Sequence, residues 1–187
     1  KCTYPSIRAH YQLALTYGSQ GKYMQAIISF NEALKLSPND LQIKYQLGVA
    51  NKELKLFQPA TIYFENYVSH NSNDAIAFFL LGSCYLKIND FPAALLSFHR
   101  ANTLSPNDHR ILYYIGICYS MLGEEEDAAR KFREALKINS EDSDIYFALG
   151  KAYLKLNKHK RVRGILDILY MLNLELYESL QMLASKK

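Results

Sequence analysis

At 187 residues, 49% of them apolar and carrying a formal net charge of +4, the chain can bury a substantial core without disulfide or metal staples. Its longest apolar stretch, AIAFFLLGSCYL at 75–86, has polar interruptions and falls well short of the roughly 20 residues a bilayer helix needs, so no transmembrane segment is expected. Eight glycines and five prolines argue against long structureless loops. Three cysteines, Cys2, Cys84 and Cys118, offer neither metal-ligand spacing nor the even number of a disulfide framework. That usage fits a reducing compartment, and a cytoplasmic location is expected. The chain opens on Lys1 with no signal-peptide pattern, which reads as a fragment or a processed chain, so that the lack of a targeting segment in it decides nothing.

Along the chain, the pentapeptide LSPND at 36–40 recurs letter for letter at 104–108. Midway stands HNSND at 70–74, and half the interval beyond the second copy stands INSED at 138–142. The interval is therefore two periods of 34, a length typical of stacked helical repeats. Leu13-Ala14, Leu47-Gly48, Leu81-Gly82, Ile115-Gly116 and Leu149-Gly150 keep the same register, followed by Tyr17, Asn51, Tyr85, Tyr119 and Tyr153. An A-x3-F pair then repeats as Ala26/Phe30, Ala60/Phe64, Ala94/Phe98 and Ala128/Phe132, with Val162/Leu166 a weaker fifth copy.

Each unit reads as two helices. In 109–122, Leu112, Ile115, Gly116 and Tyr119 recur at three- and four-residue spacing, one face of a helix; in 124–138, Ala128, Phe132, Ala135 and Leu136 do the same. The stretches SQGK (19–22), INDF (88–91) and LGEE (122–125) are turns. Pro59 and Pro92 fall in the first turn of a second helix, where proline is tolerated, and Pro38 and Pro106 fall just past a helix end, where proline blocks continuation. The small residues of the Leu-Gly positions let two helices approach closely. In the tail, LELYESLQMLASKK (174–187), Leu176, Tyr177, Leu180 and Leu183 share one face, the pattern of a solvating cap that a stacked array needs at its end.

The motifs L-G-x2-Y, A-x3-F, A and P at a 34-residue period resemble the tetratricopeptide repeat (TPR) family over about 7–176, in five consecutive units. The departures gather in the fifth unit, where Val162, Leu166, Leu169 and Leu174 replace Ala, Phe, Ala and Pro. The resemblance implies an all-α fold: a right-handed superhelical solenoid of antiparallel helix pairs, with the first helix of each unit lining a concave face. The expected organisation is a lead-in at 1–6, repeats at 7–40, 41–74, 75–108, 109–142 and 143–176, and a capping helix at 177–187.

No catalytic constellation stands out, and the chain reads as a non-enzyme without cofactor or metal. The five histidines, His10, His70, His99, His109 and His159, occupy unrelated repeat positions, and no pair has zinc-ligand spacing. No phosphate-cradling glycine loop occurs. Cys84 and Cys118 share a position with Thr16, Ala50 and Ala152, which favours small core residues over a reactive or metal-binding pair.

The concave face implied by the resemblance is the better candidate. Tyr11, Tyr45, Phe79, Tyr113 and Phe147 form an aromatic ladder at the repeat period, which reads equally as packing between units and as ligand surface. Beside it stand Gln12, Gln46, Leu80, Tyr114 and Ala148, and one turn on Leu15, Val49, Ser83, Ile117 and Lys151. Units three and four thus pool Phe79, Leu80, Tyr113, Tyr114 and Ile117 into one apolar patch, suited to a peptide or helix of another protein. Family members that hold a C-terminal carboxylate do so with lysine, asparagine and arginine; the matching positions here are Tyr11, Leu15, Gln46, Ile76 and Leu80, and that mode does not carry over. Nor does the asparagine ladder of other members, replaced by Gln12, Gln46, Leu80, Tyr114 and Ala148.

A charge contrast remains. Unit four opens its second helix with GEEED (123–127) and unit five with NKHKR (157–161). Lys151, Lys155, Lys158, Lys160, Arg161 and Arg163 form a basic stretch free of acids, read either as pairing with Glu124–Asp127 and solvation or as a patch for an acidic partner, a phosphoinositide surface or a localisation signal. Nucleic acid is disfavoured, because the other units are not basic. The leading expectation is a scaffold binding an apolar or amphipathic segment in its groove. The alternative is an assembly module that forms homo-oligomers through its C-terminal end, where Ile165, Ile168, Leu169, Met171 and Leu172 cover more than one helix face. A third reading is the regulatory array of a larger enzyme.

Overall fold

The computed structural model describes residues 3–185, among which there are eleven α-helices and no strand. In chain order they are α1 (Thr3–Ser19), α2 (Tyr23–Leu36), α3 (Leu41–Glu53), α4 (Phe57–His70), α5 (Ala75–Lys87), α6 (Phe91–Leu104), α7 (His109–Leu122), α8 (Glu125–Ile138), α9 (Ser143–Lys155), α10 (His159–Leu172) and α11 (Leu174–Ser185). From α3 onward, alternate helices begin at 41, 75, 109 and 143. Residues 3–6 of the expected lead-in are helical; residues 1–2, with Cys2, and 186–187 of the expected cap lie outside the described residues. From α1 to α5 and from α7 to α11, the short connections turn consecutive helices back on each other.

The sequence explains both kinds of turn. Between pairs, the last residue of each LSPND-like segment caps the next helix. Asp40 Oδ1 accepts the amides of Gln42 (2.9 Å) and Ile43 (3.1 Å), Asp74 that of Ala77, Asp108 that of Arg110, and Asp142 those of Asp144 and Ile145. Each satisfies donors that the helix itself leaves unpaired. Within pairs, one residue per turn takes a left-handed backbone: Gly21, Lys55, Asn89, Gly123 and Asn157, all one repeat period apart. Glycine and asparagine adopt that conformation readily; Lys55 does not.

The chain forms two compact units, 1–97 and 98–187. In the first, α1 to α4 pack in succession and α4 packs on α5. One core joins Ala14, Ala26, Phe30, Ala33, Ile43 and Leu47, and a second joins Ala60, Phe64, Leu81 and Cys84. In the second unit, α7 to α11 share one core built on Phe132, Ile145, Leu149, Ile165, Leu169 and Leu180. In both units the Phe of the A-x3-F pair lies over the small residue of the first helix. An added Cβ on Gly48 would fall 2.9 Å from the Phe64 ring, and one on Gly116 only 2.5 Å from that of Phe132.

The fifth pair solves the same packing differently. Leu166, at the place of the missing Phe, is only half-buried, and the space over Gly150 is filled by Leu180 of α11, 2.5 Å from an added Cβ, with help from Ile165. Leu180 is fully buried, Leu176 and Tyr177 are partly so, and Leu183 is exposed. The last helix therefore supplies a core side chain as well as a cover. No helix among the described residues is long and apolar enough to cross a membrane.

Candidate functional site

The aromatic ladder divides between the units: Tyr11 on α1, Tyr45 on α3, and Phe79 and Leu80 on α5 in the first; Tyr113, Tyr114 and Ile117 on α7 and Phe147 on α9 in the second. All eight are half-buried. In three repeats the ladder ring meets the motif Phe of its own repeat: Tyr11 edge-on to Phe30 at 5.7 Å, Tyr45 edge-on to Phe64 at 5.8 Å, and Tyr113 tilted against Phe132 at 5.9 Å. These rings thus pack on the core with one side and keep partial exposure on the other. Burial, reinforced by Asp144, pushes the Tyr113 hydroxyl pKa up. Tyr114 stacks on Phe98 at 5.4 Å and meets Tyr113 edge-on at 5.3 Å, while Ile117 and Phe147 pack on the same core.

The basic stretch is mostly engaged within its own unit. Lys155 Nζ lies 2.5 Å from Glu125 Oε1 and 3.3 Å from the Ser120 hydroxyl, which itself donates to Glu125. Glu125 is 7% exposed and held in the first turn of α8, where the helix dipole favours an acid. Lys158 approaches Glu126 at 3.8 Å. Lys151 lies over the Phe147 ring at 5.5 Å and Arg161 over Tyr153 at 5.3 Å, both within cation–π range. Lys160 and Arg163 are exposed on α10.

A cavity of about 280 Å³ that the motifs did not announce opens between α1, α2 and α3 in the first unit. Ala14, Ala26, Phe30 and Ala50 form its floor, Leu15 and Val49 its walls, and Gln46 and Glu53 its rim. Gly18 borders it, and a Cβ there would meet nothing within 4 Å. The signal available in the sequence was a glycine outside the Leu-Gly register.

Both described thiols are buried, and burial pushes Cys84 up to about 11 and Cys118 up to about 12, away from nucleophilic chemistry. Among the described residues no group of three or more His, Cys, Asp or Glu could hold a metal ion.

The tetratricopeptide repeat model matches residues 7–40, and a TPR repeat model matches residues 119–157. No curated protein matches the chain by sequence. Among solved structures, the chain is similar to MamA of Desulfovibrio magneticus RS-1 from residue 41 to its end, with a TM-score of 0.86 and 20% identity over 91% of this chain and 96% of that one. It is similar to YrrB, described as a TPR protein with an unusual peptide-binding site, with a TM-score of 0.85 and 18% identity over 100% and 99% of the two chains. TTC0263, a thermophilic TPR protein of Thermus thermophilus, aligns with a TM-score of 0.63 and 21% identity over 94% and 99%. At these identities the likeness is one of fold.

Proposed function

The chain belongs to the tetratricopeptide-repeat family of protein-interaction scaffolds, and from that premise we propose that it holds an apolar or amphipathic segment of another protein against the faces of its first helices. The observation that carries this reading is the ladder. Tyr11, Tyr45, Phe79, Tyr113 and Phe147 recur once per repeat and stay half-exposed, whereas the Phe residues beneath three of them, Phe30, Phe64 and Phe132, are buried. Rigid, two-torsion aromatics with one face left open are good anchors for a partner chain. YrrB, a TPR protein with an unusual peptide-binding site, supports the same use of a shared fold.

Hydrogen–deuterium exchange with a captured partner segment tests it. Protection of α1, α3, α5, α7 or α9 supports the reading; protection confined to α2, α4, α6, α8 or α10 overturns it. Phe147→Ala removes a half-exposed ring that, unlike Tyr113 and Tyr114, meets no motif Phe; because it also packs on the second unit's core, circular dichroism checks that the variant is folded.

Self-association is the second reading, favoured by the C-terminal end. Ile165 and Leu169 belong to the core, but Met171 is 81% exposed, its chain neighbours Tyr170 and Leu172 are exposed, and so are Leu174 and Met182 of α11. Light scattering across a concentration series tests this: a mass that rises to a dimer and reverts in Met171→Lys supports it, and a constant monomer sinks it.

A further inference from the structure

The cavity between α1, α2 and α3 has a counterpart three repeat periods further along the sequence, and the two are filled differently. Gly18 corresponds to Ser120, Tyr23 to Glu125, and Glu53 to Lys155. In the second unit these positions close on themselves: Ser120 and Lys155 both meet the buried Glu125 carboxylate, Lys155 at 2.5 Å. In the first unit every part of that closure is missing. Glycine leaves the space of a side chain empty, and the charged residue at the rim is an acid. The place of its counter-ion is taken by the neutral Tyr23.

Glu53 is the one charged side chain among the described residues lining the cavity. Its Oε1 meets Nζ of Lys52, its neighbour in α3, at 2.5 Å, and Lys52 does not line the cavity. The Lys52 side chain is 26% exposed and that of Glu53 37%, and a pair this open to solvent is weak and readily exchanged. The volume, about 280 Å³, exceeds a cavity that takes one benzene ring and falls below the range of drug-sized ligand sites. It fits one long side chain. The floor of Ala14, Ala26, Phe30 and Ala50 asks for an apolar stem, and the Glu53 carboxylate asks for a cation at its end.

We propose that this cavity is a socket for one arginine or lysine side chain of a partner segment, its stem over Phe30 and Ala50 and its head against Glu53. The inference rests on the segment-binding reading above and names the residue class that the first unit selects. It also sets the two units apart at this position: in the second, Lys155 from the facing helix closes on the buried Glu125, while in the first Glu53 has only its chain neighbour Lys52, from which an incoming cation would take it.

The test uses the full chain, isotope-labelled for nuclear magnetic resonance and titrated with the blocked amides of arginine, lysine, norleucine and glutamate. Saturable shifts at Gly18, Gln46 and Glu53 are expected for arginine and lysine, with an affinity for arginine about tenfold above norleucine, the discrimination one charge-assisted hydrogen bond supplies. Glu53→Gln should erase that preference. Gly18→Leu should abolish binding while folding normally, since a Cβ there is unobstructed and leucine occupies the same repeat position as Leu86 and Leu154. Equal binding of norleucine and arginine, unchanged binding by Gly18→Leu, or no saturable shift with either cation would each overturn the socket.

A short-peptide display selection on the same chain separates this from the broader reading. Selected peptides with one invariant basic residue, lost on Gly18→Leu, support the socket. Peptides without one that bind Gly18→Leu equally well leave the scaffold standing and remove the socket. If no peptide is selected while the arginine amide still shifts Gly18, the cavity takes a free cation only, and its use by a partner segment falls together with segment binding.

Discussion

The ring of Phe132 occupies the space a side chain at residue 116 would need: Cε1 lies 2.5 Å and Cδ1 2.7 Å from where a Cβ on Gly116 would fall. Phe132 is 1% exposed and packed on all sides, so it cannot yield. Gly116→Ala should cost about 1–3 kcal/mol through overpacking, in spite of the better helix propensity of alanine. Gly150→Ala should cost less, because the obstruction there is the flexible end of Leu180. Gly18→Ala should stabilise by up to about 1 kcal/mol, having nothing to displace. Urea denaturation of the three variants measures all of this, and an equal effect at 18 and 116 would contradict the packing described.

Lys55 is the residue whose side chain is least suited to its turn. It has φ 61°, in a position held elsewhere by Gly21, Asn89, Gly123 and Asn157. Lys55→Gly should stabilise by about 0.5–1 kcal/mol, and Gly123→Lys should lose a similar amount. Paired thermal melts of the two variants give the comparison; a loss in Lys55→Gly would mean that the lysine side chain contributes more than its backbone costs.

Glu125 is buried and depends on Ser120 and Lys155 for compensation, whereas Lys155 is 51% exposed. Lys155→Met leaves the buried carboxylate with Ser120 alone and should cost about 1–3 kcal/mol. Glu125→Leu alone loses the lysine's partner, and the double variant Glu125→Leu/Lys155→Met should recover most of both losses. A double-mutant cycle reads the coupling, which should shrink in high salt.

Stability should fall away at both ends of the pH scale. Burial raises the folded thiols from 9.0 to about 11 at Cys84 and about 12 at Cys118, so the protonated form is favoured on folding. That contribution is complete below pH 9 and is lost as pH climbs through 11 and 12. Tyr85, raised by burial and by its bond to Glu65, adds in the same direction. On the acid side, burial and then Lys131 lower His99, whose ring lies 3.3 Å from the Tyr119 hydroxyl. Its neutral form is favoured on folding, so stability is complete above pH 6.5 and declines as pH falls below it. His99→Gln should flatten the acid limb and Cys84→Ala/Cys118→Ala the alkaline one. In a Cys2→Ser background, a chromogenic disulfide reagent at neutral pH should react only as the chain unfolds.

The period, the helix pairs and the alanine–phenylalanine core were legible because apolar side chains repeat at fixed spacing and do the same work in each copy. The family resemblance followed from them. Other features were hidden for identifiable reasons. The LSPND segment drew attention to its proline, yet the residue that acts in every copy, including HNSND and INSED, is the aspartate. The left-handed turn positions are occupied by glycine, asparagine and lysine, so no single letter marks them. Leu180 replaces a phenylalanine from outside the register, a contact no repeat alignment predicts. At the site, the ladder was legible as a period but not as a set of rings resting on Phe30, Phe64 and Phe132. The cavity beside Gly18 is the absence of a side chain, which patterns of side chains reveal least.

The aspartate caps have a consequence for how such a chain changes length. Excising residues 41–74 would bring Asp40 directly before Ala75, and α5 would start under a carboxylate equivalent to the one it now receives from Asp74. The same holds for a cut from any one of Asp40, Asp74, Asp108 and Asp142 to the next. Duplication or loss of a whole module at these junctions leaves every helix its own start signal, so genetic slippage in whole-repeat steps is tolerated locally where a step of any other size is not.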